Sequence, residues 1–299
     1  MQEQFLIPAI RYCEKQVNCE EQVNHHSVHL SAIDEQIFIK SKNPIHQTGY
    51  KLSDFQFEKC LHQGGASVGG RVYKAIHKQS QICVVLKMFT FPDASSRIKV
   101  LIEREISIHS QLDHQHIIQL YAAFKEGLYV VLVLEYAEQG DLLPALQWNL
   151  TEHELKYNII KPTLLTLQHL HDNGIVHRDI KAENIFLDKE GNIRLGDFGL
   201  AIDKTLEVPK TPRVGTSLFM APEVRQSNDK SAQRITSYDE KVDVYSLGRM
   251  ILEFIQHNKK IQISQPFKDF IAYCLILDPN LRPSCSALLD HAWFNVMKT

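Results

Sequence analysis

IVHRDIKAENIFLDKEGNIRLGDFGL, residues 175–200, is the stretch on which the reading of the chain turns. Two short apolar runs, 184–187 and 193–195, flank the polar turn Asp188-Lys189-Glu190-Gly191-Asn192, and that pattern predicts a β-hairpin. In an antiparallel hairpin the start of the first strand lies beside the end of the second. Asn184 is therefore expected next to Asp197, with Asp179 a few residues upstream. An amide oxygen and a carboxylate at one spot suit Mg²⁺, a hard cation that takes oxygen ligands and shares them with substrate phosphates.

Working upstream, residues 55–60 alternate like a strand and run into the glycine-rich segment 64–70. A second strand follows. It sets Ile82, Val84, Leu86 and Met88 on one face and Cys83, Val85, Lys87 and Phe89 on the other. Lys87 thus shares an apolar face, a costly place for an unpaired ammonium. The next segment supplies an anion. Ile98, Leu101, Ile102, Glu105, Ile106, His109 and Leu112 form the stripe of an amphipathic helix, opened by Asp93 or Ser96, and Glu105 lies inside that stripe. A core-facing carboxylate needs a cation, so faces alone pair Glu105 with Lys87.

Two further strands, 117–124 and 128–136, end at the polar break Glu138-Gln139-Gly140-Asp141. Beyond it the pattern is mainly helical. Thr151 and Glu154 form a capping box for a helix ending at Asn173-Gly174, and Pro162 inside that helix should kink it or cost stability. The expected fold class is α+β and bilobal: a small β-rich lobe with one helix at about 50–136 and a larger, mainly helical lobe at about 137–297. Residues 1–49, rich in Gln, Asn and His, read as a polar tail; Cys13, Cys19, His25, His26 and His29 match no zinc-finger spacing.

These motifs resemble those of the eukaryotic protein kinases over roughly residues 50–297. His177-Arg178-Asp179 with Asn184, Asp197-Phe198-Gly199, Val84-Val85-Leu86-Lys87 and Ala221-Pro222-Glu223 stand in the family's order. The resemblance implies that Lys87, held by Glu105, grips the α- and β-phosphates of ATP. Asn184 and Asp197 would hold Mg²⁺, Asp179 would orient or accept the substrate hydroxyl proton, and Lys181 would reach the γ-phosphoryl group. Gly65, Ser67 and Gly70 would cover the phosphates, and Val72 and Val85 would lie above the adenine with Phe186 below. Leu134 matches the gatekeeper. Glu135 and Ala137 would offer main-chain hydrogen bonds and Asp141 would meet the ribose. Lys181 and the Gly215-Thr216 pair resemble the serine/threonine branch, with the Thr216 hydroxyl near Asp179 and Lys181. Arg178 implies control by phosphorylation of the following loop, with Thr211 as first candidate and Thr205 and Ser217 behind it.

Three departures from the family pattern stand out. Ser67 replaces the middle glycine of the phosphate loop, and Gly69 its usual aromatic tip. His109 occupies the position where the family packs an apolar residue behind Phe198. Between a helix ending near Gln256 and one beginning near Pro266 there is no room for the family's usual extra helix. Glu223 and Arg282 remain available for an ion pair.

Composition limits the alternatives. Of 299 residues 44% are apolar and 23% charged, which excludes a largely disordered chain. The net charge of −2 gives no electrostatic reason to expect nucleic acid. The longest apolar run, 128–134, is too short to span a bilayer, and the N-terminus has no basic segment of the secretory type. Six cysteines without CxxC pairing fit an intracellular location, cytoplasm or nucleus, with Cys83 and Cys274 as buried thiols. The expected function is phosphoryl transfer from ATP to Ser/Thr hydroxyls of protein substrates, with an upstream kinase as a further partner. The alternative is an ATP-binding pseudokinase scaffold, against which the intact Lys87, Glu105, Asp179, Asn184 and Asp197 speak.

Overall fold

Residues 35–40, 43–45, 49–63, 70–90, 97–206, 216–226, 238–258 and 261–295 are described by the computed structural model. The alternating segments of the first lobe form six strands: β1 Glu35–Ile39, β2 Phe55–Gln63, β3 Arg71–His77, β4 Cys83–Thr90, β5 Leu120–Glu126 and β6 Tyr129–Glu135. They pair antiparallel in the order β1-β5-β6-β4-β3-β2. Residues directly opposite on paired strands share a face. The register sets Lys87 opposite Val72 and Leu132, and Val85 opposite Leu134, so these side chains line one face together. Helix α1, Arg97–Gln111, packs on that face through Ile102 and Ile106, against Phe89, Leu120, Ala123, Val130 and Leu132.

The other face of the sheet corrects the expectation of a tail ending at residue 49. Asn43, Ile45 and Tyr50 are buried over it, and Tyr50 stacks on Phe55 and Phe124 with centroids 6.2 Å apart in both pairs. Asn43 Nδ2 donates to the Tyr50 hydroxyl and, at 3.1 Å, to the Tyr121 carbonyl. The lobe therefore begins by residue 35. Cys83 also differs from expectation: it is half-buried, whereas Cys274 is fully enclosed.

The second lobe starts at β7, Gly140–Asp141, and helix α2, Glu152–Glu154, opened by the predicted box: Glu154 N donates to Thr151 Oγ1 at 3.2 Å and Thr151 N to Glu154 Oε2 at 2.9 Å. A π-helical stretch, Leu155–Ile160, leads into α3, Lys161–Asp172. That wider turn is how Pro162 is accommodated: proline lacks an N–H, and it sits in the first turn of α3 where none is required. Short strands β8 Ile175–Val176, β9 Ile185–Leu187, β10 Ile193–Leu195 and β11 Ile202–Asp203 follow. Helices α4 Pro222–Gln226, α5 Lys241–His257, α6 Gln265–Cys274, α7 Cys285–Leu289 and α8 Ala292–Asn295 complete the lobe. Among the described residues no helix lies between α5 and α6. Their connection is tied instead to the start of α2: Ser264 N and Oγ donate to Glu152 at 2.6 and 2.7 Å, and Trp293 Nε1 donates to the same carboxylate at 2.7 Å. No described helix is long and apolar enough to cross a membrane.

Candidate active site

The floor of the site is the loop between β8 and β9, and its shape is dictated from beneath. Asp243, in α5, is wholly buried. Its carboxylate accepts the main-chain N–H of His177 at 2.9 Å and of Arg178 at 2.7 Å, and the ring Nε2–H of His171 at 2.9 Å. Burial would raise its pKa, but the bonds and charges from His171 outweigh that and hold it below the ordinary value. Arg178 takes φ +70°, a left-handed conformation unfavourable to a side chain, and these two anchoring bonds fix it there. Its guanidinium donates to the Leu200 carbonyl at 2.6 Å and to the Tyr238 hydroxyl at 2.8 Å.

The forced turn presents Asp179. Its Oδ1 accepts from Thr216 N at 3.0 Å and Oγ1 at 3.1 Å; its Oδ2 accepts from Asn184 Nδ2 at 2.9 Å and Lys181 Nζ at 2.8 Å. Lys181 Nζ also donates to Thr216 Oγ1 at 2.9 Å, so the expected grouping of Asp179, Lys181 and Thr216 is present. With Nδ2 engaged on Asp179, the Asn184 amide turns its Oδ1 to the opposite side.

The hairpin brings the second acidic group to the same place. β9 and β10 pair as predicted, and Gly196 N donates to Asn184 O at 2.9 Å, which puts Asp197 beside Asn184. Asp197 has φ +58° and a side chain 49% exposed. A buried amide oxygen and a half-exposed carboxylate are hard donors that fit Mg²⁺, which keeps waters and shares phosphate oxygens and so needs no full protein cage.

Lys87 joins roof to floor. Its ammonium lies 2.6 Å from Glu105 Oε1 and 2.8 Å from Asp197 Oδ1. Burial alone would lower the Lys87 pKa, but the charges of Asp197 and Glu105 overrule it and hold the group above its ordinary range. The Lys87 charge in turn holds the Asp197 carboxyl far below the usual range. Phe198 is buried, with its ring centroid 4.7 Å from that of His109 and 5.1 Å from that of His177. His109 Nε2 lies 2.6 Å from the Ile118 carbonyl, and burial pushes its pKa down to about 4. The neutral ring therefore donates from Nε2, leaving Nδ1 as a buried acceptor with no partner.

Val72, Val85 and Leu134 line the roof beside Lys87, and Phe186 of β9 sits opposite Asp141 in the floor. Phe186 fits because position 196 is glycine: a Cβ there would stand 3.0 Å from its ring. The Ala137 carbonyl accepts Gly140 N at 3.2 Å, the Glu135 carboxylate accepts Gln119 N at 3.0 Å, and Asp141 Oδ1 accepts Leu143 N at 2.9 Å. Gly70 lies against Phe89. Gly65, Ser67, Thr211, Asp93, Ser96 and the Cys13–His29 group lie outside the described residues. Thr205 and Ser217 are exposed. Glu223 and Arg282 form the expected pair at 2.7 Å. Sequence reasoning missed the anchors Asp243, His171 and Tyr238. The one available signal was an aspartate inside the otherwise apolar run Val242-Asp243-Val244-Tyr245.

A bilobal α+β fold with a lysine–glutamate pair above and two acidic loops below defines the class of ATP-dependent protein kinases. The protein kinase domain family matches residues 55–262, and the chain belongs to the eukaryotic protein kinase superfamily, on its serine/threonine branch. The chain is 31% identical over 261 residues to the serine/threonine-protein kinase ste20 of Emericella nidulans, covering 79% of this chain and 30% of that one. It is 30% identical over 261 residues to the serine/threonine-protein kinase pakA of Talaromyces marneffei, covering 79% of this chain and 39% of that one. It is 30% identical over 266 residues to the cytokinesis protein sepH of Emericella nidulans, covering 81% of this chain and 19% of that one. The chain thus spans well under half the length of these relatives.

Proposed function

We propose that the chain is an active serine/threonine protein kinase that transfers the γ-phosphoryl group of ATP to Ser/Thr hydroxyls of protein substrates. One observation carries this reading: Lys87 stands between Glu105 and Asp197 while Asp179, Lys181, Asn184 and Thr216 form a single hydrogen-bonded group below it. Lys87 supplies the positive charge for the α- and β-phosphates, and Glu105 keeps it aimed. Asp179, ringed by donors, accepts or orients the proton of the incoming hydroxyl. Lys181 meets the γ-phosphoryl group, where charge shifts as the bond to the leaving oxygen breaks. Mg²⁺, when bound by Asn184 and Asp197, would neutralise phosphate charge. Val72, Val85 and Phe186 enclose the adenine, Glu135 and Ala137 meet its edge through the main chain, and Asp141 meets the ribose.

Regulation belongs to the same reading. A phosphate on Thr211, or on Thr205 or Ser217, would bring charge to Arg178 and order the loop around Thr216. An upstream kinase or the chain itself would add it, and an intracellular location would supply ATP and protein substrates. The test is mass spectrometry of phosphatase-treated protein incubated with Mg-ATP and a Ser/Thr peptide library, with Asp179→Asn alongside. Phosphate gained by the wild type only is the expected result. No transfer by the wild type, even with Thr211→Glu, would assign the chain to the pseudokinase scaffolds.

A further inference from the structure

The segment just before the first lobe's core is built into that lobe on the side of α1. β1 adds to the free edge of β5, with Phe38 opposite Ala123 and Ile39 opposite Ala122. Adjacent residues of a strand point to opposite faces. Phe38 packs against the cluster that contains Ile102 and Ile106 of α1, the helix that carries Glu105. Ile39 packs on the other face, with the cluster around Tyr50 and Phe124. The next residue reaches the far end of α1. Lys40 N donates to the Tyr121 carbonyl at 2.9 Å, and Lys40 Nζ pairs with Asp113 at 3.1 Å and bonds Gln119 Oε1. Gln119 in turn donates to the carbonyls of His114 and Ile117 at 3.2 and 3.0 Å, within the turn that follows α1.

We propose that residues 35–40 are an intramolecular positioning strap, in which Phe38 and Lys40 hold α1 where Glu105 meets Lys87. Backbone pairing fixes the segment to β5, Phe38 packs into the cluster that holds Ile102 and Ile106, and the Lys40 ammonium reaches the turn after α1. α1 also leans on the second lobe, where Ile108 and the following Leu112 join the core cluster. On the side of the site it carries the Glu105–Lys87 pair and the contact of His109 with the Ile118 carbonyl. When a helix has more than one position, each contact made only in the competent position shifts the competent fraction. Phe38 and Lys40 touch neither Lys87 nor the acidic loops, so they are positioning residues, and they extend the kinase reading given above.

The test uses the full chain with Phe38→Ala, Phe38→Leu, Lys40→Ala and Ile39→Ala. It measures kcat and KM for Mg-ATP and amide exchange along α1. Phe38→Ala is expected to lower kcat/KM roughly tenfold, because a shifted α1 equilibrium appears directly in the competent fraction. Exchange along α1 should rise while exchange in β9 and β10 stays as in the wild type. Phe38→Leu should recover activity to within about twofold, and Lys40→Ala should fall between the two. Ile39→Ala removes an apolar side chain from the same strand on the face away from α1, and should leave kcat/KM within about twofold of wild type. An equal loss in Ile39→Ala and Phe38→Ala would reduce β1 to general stabilisation and overturn the proposal. So would unchanged activity and α1 exchange in Phe38→Ala. An inactive wild type would count against the kinase reading alone, because α1 exchange in Phe38→Ala still decides the strap.

Discussion

Floor and roof of the cleft are held by different physics. The floor loop hangs by main-chain bonds from one buried carboxylate, Asp243, and each carboxylate oxygen of Asp179 has two donors. The roof is a sheet that offers Lys87 and a helix that offers Glu105; the turn after α1 is bonded to β10 through His116, Ile118 and Leu195, whereas Lys87 meets Asp197 by a side-chain contact at 2.8 Å. A loop held by buried main-chain bonds keeps one shape until the lobe unfolds. The Lys87–Glu105–Asp197 contacts are between side chains, so they can open while those main-chain bonds stay in place. On the proposed reading, the contrast separates the residues that would perform chemistry in a fixed place from those that would decide how often the place is complete.

The largest expected effect lies in the floor. Asp179→Asn should lower kcat by about 10²–10⁴-fold, the range of a positioned acid–base group, with the melting temperature close to wild type. A large drop in melting temperature would mean that Asp179 also carries the shape of the loop, and the contrast would weaken. Asp243→Ala comes next. Removing one partner from a buried charged network costs about 3–5 kcal/mol, so urea unfolding should shift by that amount and activity should fall with it. Unchanged stability would break the claim that the floor hangs from this residue.

Much of this arrangement was legible in the sequence, for identifiable reasons. Lys87 and Glu105 could be paired from the period-2 and period-3.6 patterns, because a buried charge on an apolar face needs a partner. The hairpin turn placed Asn184 beside Asp197, and the short connection after α5 pointed to a missing or reduced helix, where none lies among the described residues. β1 is hard to see within residues 1–49 because a five-residue edge strand in a polar setting has weak local signal; its place in the sheet comes from pairing with β5. Asp243 was hidden because its partners are backbone N–H groups some 65 residues away, which no side-chain pattern reveals. Thr216 could be placed by resemblance, whereas Tyr238 on Arg178 had no local signal at all.

Smaller effects sharpen the comparison further. A Cβ at Gly248 of α5 would stand 2.7 Å from Cys274 Cβ and 2.9 Å from Leu275 Cδ2. Gly248→Ala should therefore cost about 1–3 kcal/mol of stability, read as a lower melting temperature, with KM for ATP unchanged. His109 belongs to the roof and should show itself through pH. The folded ring titrates near 4 and the unfolded one near 6.5, so between these values the unfolded chain binds more protons. Stability should then fall as pH drops from about 6.5 to about 4, by about 1.4 kcal/mol per pH unit from this group. His109→Leu should flatten that component in urea midpoints measured at pH 5 and 7. An identical slope in the variant would place the acid sensitivity elsewhere.

The most direct measurement is amide hydrogen exchange of the full chain with and without Mg-ATP. The N–H groups of His177 and Arg178, bonded to buried Asp243, should exchange slowly in both conditions. The α1 segment 97–111 should exchange faster in the free chain and gain protection when Mg-ATP binds across Lys87 and Asp197. Equal protection of both segments without nucleotide, or no response anywhere to Mg-ATP, would contradict the division between a fixed floor and an assembling roof.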